Sequence, residues 1–572
     1  MIHRRPQRWL LLILGVVALS GGCGAMASDE ASTGICSVDD DCVEGLKCYA
    51  RRVCVAKEAA ETPVVLRLKP PVDSGLLLEH FEVVLTGANQ ADPHTLVLTE
   101  PAIVRGAVKL AETGLLVPGK LIARAPGEVE GFELRFDATA SETKGFELRV
   151  QPGHTYEVSF WPENAQIPPH YSSMTIGGSL TDWTLELPAQ HQLLRVTGRI
   201  VAGEVPLPGL VVMLQDPKGR SCSTRDVTDV EGKFELAVDP SVPWGVLRFE
   251  PKDPAPDPKD AGFVVEKAPL LLPSGRLKNP VSLTSAGKNE PIALGKLDVG
   301  PLPPTVVTTV VAQGPQGEPI DGAYVRVVRL LKAPQGTPYE FAKLWVEQEG
   351  YTESDGRMLT TISPGPGVVT LQPGPKSLFG RVVWKGELQA GVWDEQRCPE
   401  RTLVTGSVQD YLSQVVPGSQ VMVRHVTSGA NNGKVEGEAD LGNVQPVEVD
   451  ADAQGAFSLR LDPGSYAIWV QPPAHSGLAR AMQGVHEVAA GQSAAWALKL
   501  LPPLVLAGRV KSGSGLAVAG VLVDVLAPTV PDEPGMDEGT SGASMDAHLL
   551  ATAVTDANGQ FEVLIAPQQA AP

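Results

Sequence analysis

Along most of this chain apolar and polar residues alternate with a period of two, in short runs broken by Gly, Pro, Asp and Asn. The alternation predicts half-buried β-strands, and the breakers predict the turns between them. Phe234-Glu235-Leu236-Ala237-Val238 is one such run. Ahead of it, Asp229 and Gly232 supply turn chemistry, Asp by bonding nearby backbone and Gly by tolerating positive φ. Behind it, Pro240 ends the strand because it has no N–H for a ladder. The same unit recurs with a Gly just before a Phe or Met and a Pro six residues after it: Phe146/Pro152, Phe234/Pro240, Met358/Pro364, Phe457/Pro463 and Phe561/Pro567. A repeat of this kind predicts a string of similar small β-domains rather than one large unit.

Two further signals precede each copy. A strand with a central Gly opens most units, at Val104-Arg105-Gly106, Val196-Thr197-Gly198, Phe379-Gly380-Arg381-Val382 and Ala507-Gly508-Arg509. The remaining unit opens with Val310-Val311-Ala312. Turns at Pro118-Gly119, Pro208-Gly209, Asp321-Gly322, Pro417-Gly418 and Ala519-Gly520 then feed a second strand. No long stretch outside the N-terminus has helical periodicity. The expected fold class is all-β, with tandem β-sandwich domains of transthyretin-like or immunoglobulin-like type after a signal peptide and a small disulfide-rich segment. The expected bounds are 62–190 for a divergent copy, then 191–300, 301–373, 374–500 with an insertion, and 501–572. After Pro152, Pro240 and Pro463 another strand follows, whereas only Gln568 to Pro572 follow Pro567. The fifth sandwich is therefore expected to lack its closing strand; an open edge invites pairing, so the expectation is a strand taken from a partner or a chain that is a shortened version of a longer protein.

Gly198-Arg199-Ile200, Pro208-Gly209, Asp229 to Phe234, Gly380-Arg381-Val382, Asp452 to Phe457, Gly508-Arg509-Val510 and Asp556 to Phe561 together resemble the carboxypeptidase regulatory-like domain. The resemblance covers most of 190–572 and, weakly, 62–190. It implies a sandwich of about seven strands serving as an accessory, spacer or interaction module, with no catalytic residues to carry over.

The N-terminus predicts an address. His3, Arg4, Arg5 and Arg8 precede the apolar run Trp9 to Leu19, and Ser20-Gly21-Gly22 precedes Cys23. This is the layout of a secretory signal over 1–22. It resembles the bacterial lipoprotein pattern, with Ser20 where the family prefers Leu, and that resemblance implies lipidation of Cys23. The implied location is the cell envelope, lipid-anchored and at the outer membrane, or secreted if Cys23 is not lipidated. In the segment 23–60, Cys36, Cys42, Cys48 and Cys54 follow one another at equal spacing. An exported chain makes disulfides the expectation, with three pairings open. Cys36 to Cys42, with Asp39, Asp40 and Asp41 between, resembles the start of Dickkopf-type Cys-rich modules. Zinc is the weaker alternative, since chelate spacing and a nearby His are absent. Cys222 and Cys398 fall in different expected domains, either as thiols or as a bridge between closely packed units.

The formal net charge of −19 argues against nucleic acid, which needs clustered Lys and Arg. Asp450 to Gly455 imitates an EF-hand start, but Leu461 stands where that loop needs a bidentate Glu, so a repeated turn is expected instead. Metallopeptidase, nucleophile-elbow and P-loop motifs are absent. Glu347, Glu349 and Glu353 read as exposed strand or loop carboxylates. No catalytic residue, metal site or cofactor is expected. Three readings remain: a non-catalytic envelope lipoprotein for structural or protein-interaction roles, a carbohydrate- or peptidoglycan-binding protein, and a hydrolase with an unrecognised site. The expected partners are the membrane, through the lipid, and envelope proteins or glycans. Stacking candidates are Trp161, Trp183, Trp244, Trp345, Trp384, Trp393, Trp469 and Trp496. Trp469 reads as core and Trp393 as the exposed one. The loops at 390–410 and 528–545 read as interruptions suited to partner recognition.

Overall fold

The structure is a computed structural model. It describes residues 61–567 except 87–92, 128, 130, 131, 217, 253–270, 285–289, 333, 335–338, 394–396, 427–445 and 528–548, together with Asp39, Cys42, Glu44, 46–49 and 53–56. The signal segment, Cys23, Cys36 and the whole 528–545 loop lie outside the described residues. Strands and short 3-10 turns make up the regular structure of the described residues. None of their helices is long and apolar enough to cross a membrane.

Five sandwiches share one topology. In the first, the strand Ala102–Leu110 lies between Phe146–Val150, antiparallel, and Leu180–Leu187, parallel. The facing sheet runs His170–Ile176, His154–Pro162, Gly119–Pro126, Glu133–Ala140. The opening strands of the others are Leu194–Ala202, Val306–Val311, Thr402–Gln409 and Leu504–Ser512. Each again sits between the repeat strand, antiparallel, and the sandwich's last strand, parallel.

The two strongest signals of the repeat meet in space. Gly106 lies opposite Phe146, Gly198 opposite Phe234, Gly406 opposite Phe457 and Gly508 opposite Phe561. In each pair the missing Cβ leaves room for the aromatic ring, which fills the sandwich core. The turn Asp acts as expected. The Asp452 carboxylate accepts the Gln454 and Ala456 amides at 2.9 and 2.8 Å. Asp229 and Asp556 hold their turns in the same way. The EF-hand likeness is thus a carboxylate engaged by its own turn.

Two expectations about boundaries are corrected by the pairing. Gly380-Arg381-Val382 does not open the fourth sandwich, because Val382–Leu388 pairs with Gly365–Gln372 in the third. Gly391–Trp393 closes that sandwich beside Val306–Val311. The fourth opens at Thr402, with Gly406 as its central Gly. The fifth sandwich does not have an open edge, and 62–98 does not belong with the first. Thr62–Lys69 pairs with Leu522–Leu526, Glu79–Leu85 pairs with Thr62–Lys69, and His94–Leu98 runs parallel to Leu504–Ser512. These strands take the fifth, sixth and seventh places of the sandwich begun at Leu504. Leu66, Leu68, Leu85 and Leu98 fill its core against Leu504, Leu506, Val523 and Phe561. The sandwich is a circularly permuted copy assembled from both ends of the described chain.

Neighbouring sandwiches touch in a closed cycle. The second and third share one sheet, because Ser274–Leu277 pairs with Phe341–Tyr351. Phe341 and Leu344 accordingly lie in the core of the second. Between the third and fourth, the buried Arg401 donates to the Gly374, Pro375 and Ser377 carbonyls and to Asp462. Ala566, just past the fifth sandwich's repeat strand Gln560–Ile565, lies in the core of the fourth. Val65 and Leu526 of the fifth pack on Val129 and Phe132 of the first.

Candidate functional site

The structure disperses most of the residues singled out in the sequence. Cys42 and Cys54 form a disulfide with Cα atoms 5.6 Å apart, and Cys48 is also disulfide-bonded. The hairpin they staple packs Leu46 and Cys54 into the fifth sandwich's core. Asp39 accepts the Cys48 amide at 2.7 Å, so it braces this hairpin. Cys222 and Cys398 are free and buried in the second and third cores, which removes the bridge between them. Burial pushes both thiols up to about 12, far from nucleophilic character. Trp469 is core, as expected. Trp393 is a correction: it is 4% exposed and packs edge-on to Trp384, because its strand alternates and turns Val392 outward instead. Trp496 is buried, and Trp161, Trp183, Trp244, Trp345 and Trp384 are half-buried. Glu347, Glu349 and Glu353 are exposed. Glu347 pairs with Arg326, and Glu349 accepts the Tyr324 hydroxyl at 2.6 Å. Among the described residues no group of three His, Cys, Asp or Glu stands together as metal ligands.

A polar groove on the first sandwich gathers more chemistry. It has a volume of about 670 Å³ and runs across the strands Ala102–Leu110, Phe146–Val150 and Leu180–Leu187. An irregularity in register between Leu180 and Trp183 leaves Thr181 and Asp182 out of the ladder. Gly106 lets the strands close up there, since a Cβ would stand 2.0 Å from the Trp183 carbonyl oxygen. Arg105, Lys109, Ser141, Lys144, Asp182 and Trp183 line the space. Arg105 pairs with Glu147 at 3.0 Å, and its hydrogen bond holds that carboxyl below its ordinary value. Trp183 meets Phe146 edge-on at 5.7 Å between centroids. Cations, a carboxylate, hydroxyls and an indole beside an open channel suit hydrogen bonding to an extended polar ligand. Its lining contains no His or Cys. The sequence marks Arg105, Gly106, Phe146 and Trp183 for other reasons and does not bring them together, because the groove's walls come from three separated strands.

The seam between the first and second sandwiches is richer in charge but closed. Arg220 bonds Asp216 at 2.6 Å and also Glu157, and its guanidinium lies 4.3 Å from the Tyr171 ring centre. The Tyr171 hydroxyl donates to the Ser221 carbonyl at 2.9 Å. His170 reaches across to Asp239, which is 2% exposed on its side chain. Burial alone would raise the Asp239 carboxyl, but bonds from His170 and Ser241 hold it below its ordinary value. Each of these groups is engaged in joining two sandwiches.

No family model matches the chain, and no curated protein matches its sequence. Solved structures do match. A streptococcal ancillary pilin is 14% identical, with 53% of this chain and 99% of that one covered at a TM-score of 0.19. The minor pilin GBS52 of Streptococcus agalactiae is 8% identical, over 34% and 95% of the two chains, at 0.20. BcpA, the major pilin of Bacillus cereus, is 13% identical, over 54% and 99%, at 0.14. At TM-scores of this size the likeness carries no argument about function, and the all-β tandem-sandwich fold rests on the strand pairing itself.

Proposed function

We propose that this chain is a non-catalytic surface protein of the cell envelope, a rigid scaffold that presents the loops of five sandwiches for structural or adhesive contacts. The observation that carries this reading is the joining of every neighbouring pair, by a shared sheet, by buried Arg401, by the Arg220 and Asp239 clusters and by shared cores. Sandwiches on loose linkers would need none of these. Under this reading Cys23 carries lipid and tethers the scaffold. Small-angle scattering should fit one compact particle, and fatty-acid labelling should be lost in Cys23→Ser. Immobilised envelope proteins and wall polymers should retain the wild type. A flexible-bead scattering curve, together with no retention on any fraction, would sink the idea.

A second reading has one observation in its favour, the polar groove beside Trp183. It would bind a glycan through the groove's hydroxyls and charges. On a glycan array, hits that disappear in Lys144→Ala and Asp182→Ala would support it, and an array without hits would dismiss it.

A further inference from the structure

The fifth sandwich is completed by residues 62–98, which four other sandwiches separate from its remaining strands. We propose that this closure is exchangeable, so that residues 62–98 of one copy complete the fifth sandwich of a second copy in a reciprocal dimer.

The exchange keeps the strand pairing of the fifth sandwich. The ladders to Leu522–Leu526 and Leu504–Ser512 are the same whichever chain supplies the strands. The first sandwich follows the exchanged strands after only Thr99, Glu100 and Pro101. It therefore travels with them and lays Val129 and Phe132 on the partner's fifth sandwich as it does on its own. Five sandwiches in one cycle become ten in a larger cycle, each beside the same kind of neighbour as before. The two forms differ in junction angles and in association entropy, so protein concentration sets the balance. An anchored protein, held in two dimensions, is favoured toward exchange.

The acceptor also selects its occupant. Without residues 62–98, the strand Leu522–Leu526 is an open edge over an uncovered core. At its centre the Asp524 side chain is 5% exposed and is matched by Arg67 at 2.7 Å and Lys69 at 2.8 Å. A foreign strand without cations at those places leaves a buried carboxylate unpaired, a large cost. A second copy of this chain supplies Arg67 and Lys69 in register with Val64, Leu66 and Leu68.

The test uses Val97 and Lys511, outward-facing partners in the parallel ladder, with Val97 46% exposed. Differently tagged full chains carrying Val97→Cys or Lys511→Cys are co-expressed, and the purified mixture is treated with a short thiol–thiol cross-linker. The buried Cys222 and Cys398 remain unreactive. The expected result is a hetero-tagged covalent species of twice the chain mass, increasing with protein concentration. A chain bearing both substitutions, expressed alone at low level, should cross-link within itself. The proposal is overturned if the mixture yields only single chains while the double variant cross-links internally. It is equally overturned if Val230→Cys, exposed on the second sandwich, captures Lys511→Cys as well as Val97→Cys does. Failure of the double variant to cross-link would remove the pairing on which the exchange depends.

Discussion

A Cβ at position 198 would stand 2.7 Å from the tip of the Phe234 ring, with no backbone atom as close. Gly198→Ala should therefore destabilise the second sandwich by about 1–3 kcal/mol through overpacking, read as a lower thermal midpoint. The third sandwich shows the compensation already made. Val310 stands where the others have Gly, and opposite it the Phe is replaced by Met358. The thinner, flexible thioether accepts a branched neighbour that a ring would not. Gly198→Ala combined with Phe234→Met should recover part of the lost stability, and a double variant less stable than either single one would contradict this pairing. The same logic explains why Met takes the place of Phe in the third copy of the repeat: it is a matched substitution in the fold.

At the scale of strands, Gly275 holds the second and third sandwiches together. A Cβ there would meet Phe249 at 2.4 Å and Leu344 at 2.7 Å, which stand on the two strands flanking it, one from each sandwich. Gly275→Val should split one calorimetric transition into two, as the sandwiches lose their common core; a single sharp transition would show that the ladder alone suffices. The sandwich count and the repeat strands were legible in the sequence because Asp, Gly, Phe and Pro act on close neighbours. The opening of the fourth sandwich was misread because Gly380-Arg381-Val382 has the same letters as other openers, whereas the true one, Val404-Thr405-Gly406-Ser407-Val408, has Ser after its Gly. Trp393 was misread because polar neighbours disguised a three-residue strand. The permuted fifth sandwich and the polar groove were not legible at all. Both depend on which distant strands pair, and that is set by core fit rather than by local pattern.

For the whole molecule, the weakest junction against acid is the one that closes the cycle. His80 of the fifth sandwich stacks on Phe132 of the first, with ring centroids 4.6 Å apart, and both ring nitrogens are buried without a hydrogen-bond partner. Burial, then Arg67 and Lys69, lower its pKa to about 4. The unfolded or opened form, near 6.5, binds more protons between those limits, so stability is lost as pH falls from about 6.5 to 4. The loss amounts to at most about 3 kcal/mol at 1.36 kcal/mol per unit. The Asp239 seam, whose carboxyl is held low, should hold through that window and weaken only below about pH 4. Denaturant titrations across pH 4–6.5 should therefore show a slope that flattens in His80→Phe, and an unchanged slope would reject His80 as its source.

The joining of the two ends in one sandwich also imposes a timetable. Roughly 450 residues separate Lys69 from its partner Leu522, and at about 5–20 residues per second their synthesis is about 20–90 s apart. Throughout that interval Val64-Val65-Leu66-Arg67-Leu68 has Glu79–Leu85 as a hairpin partner but not the rest of its sandwich to cover its apolar face, while the first four sandwiches have all their own strands to hand. The first sandwich strand to be made is thus among the last to be placed, and a helper that shields it on emergence would matter more to yield than any protection of the four sandwiches made after it.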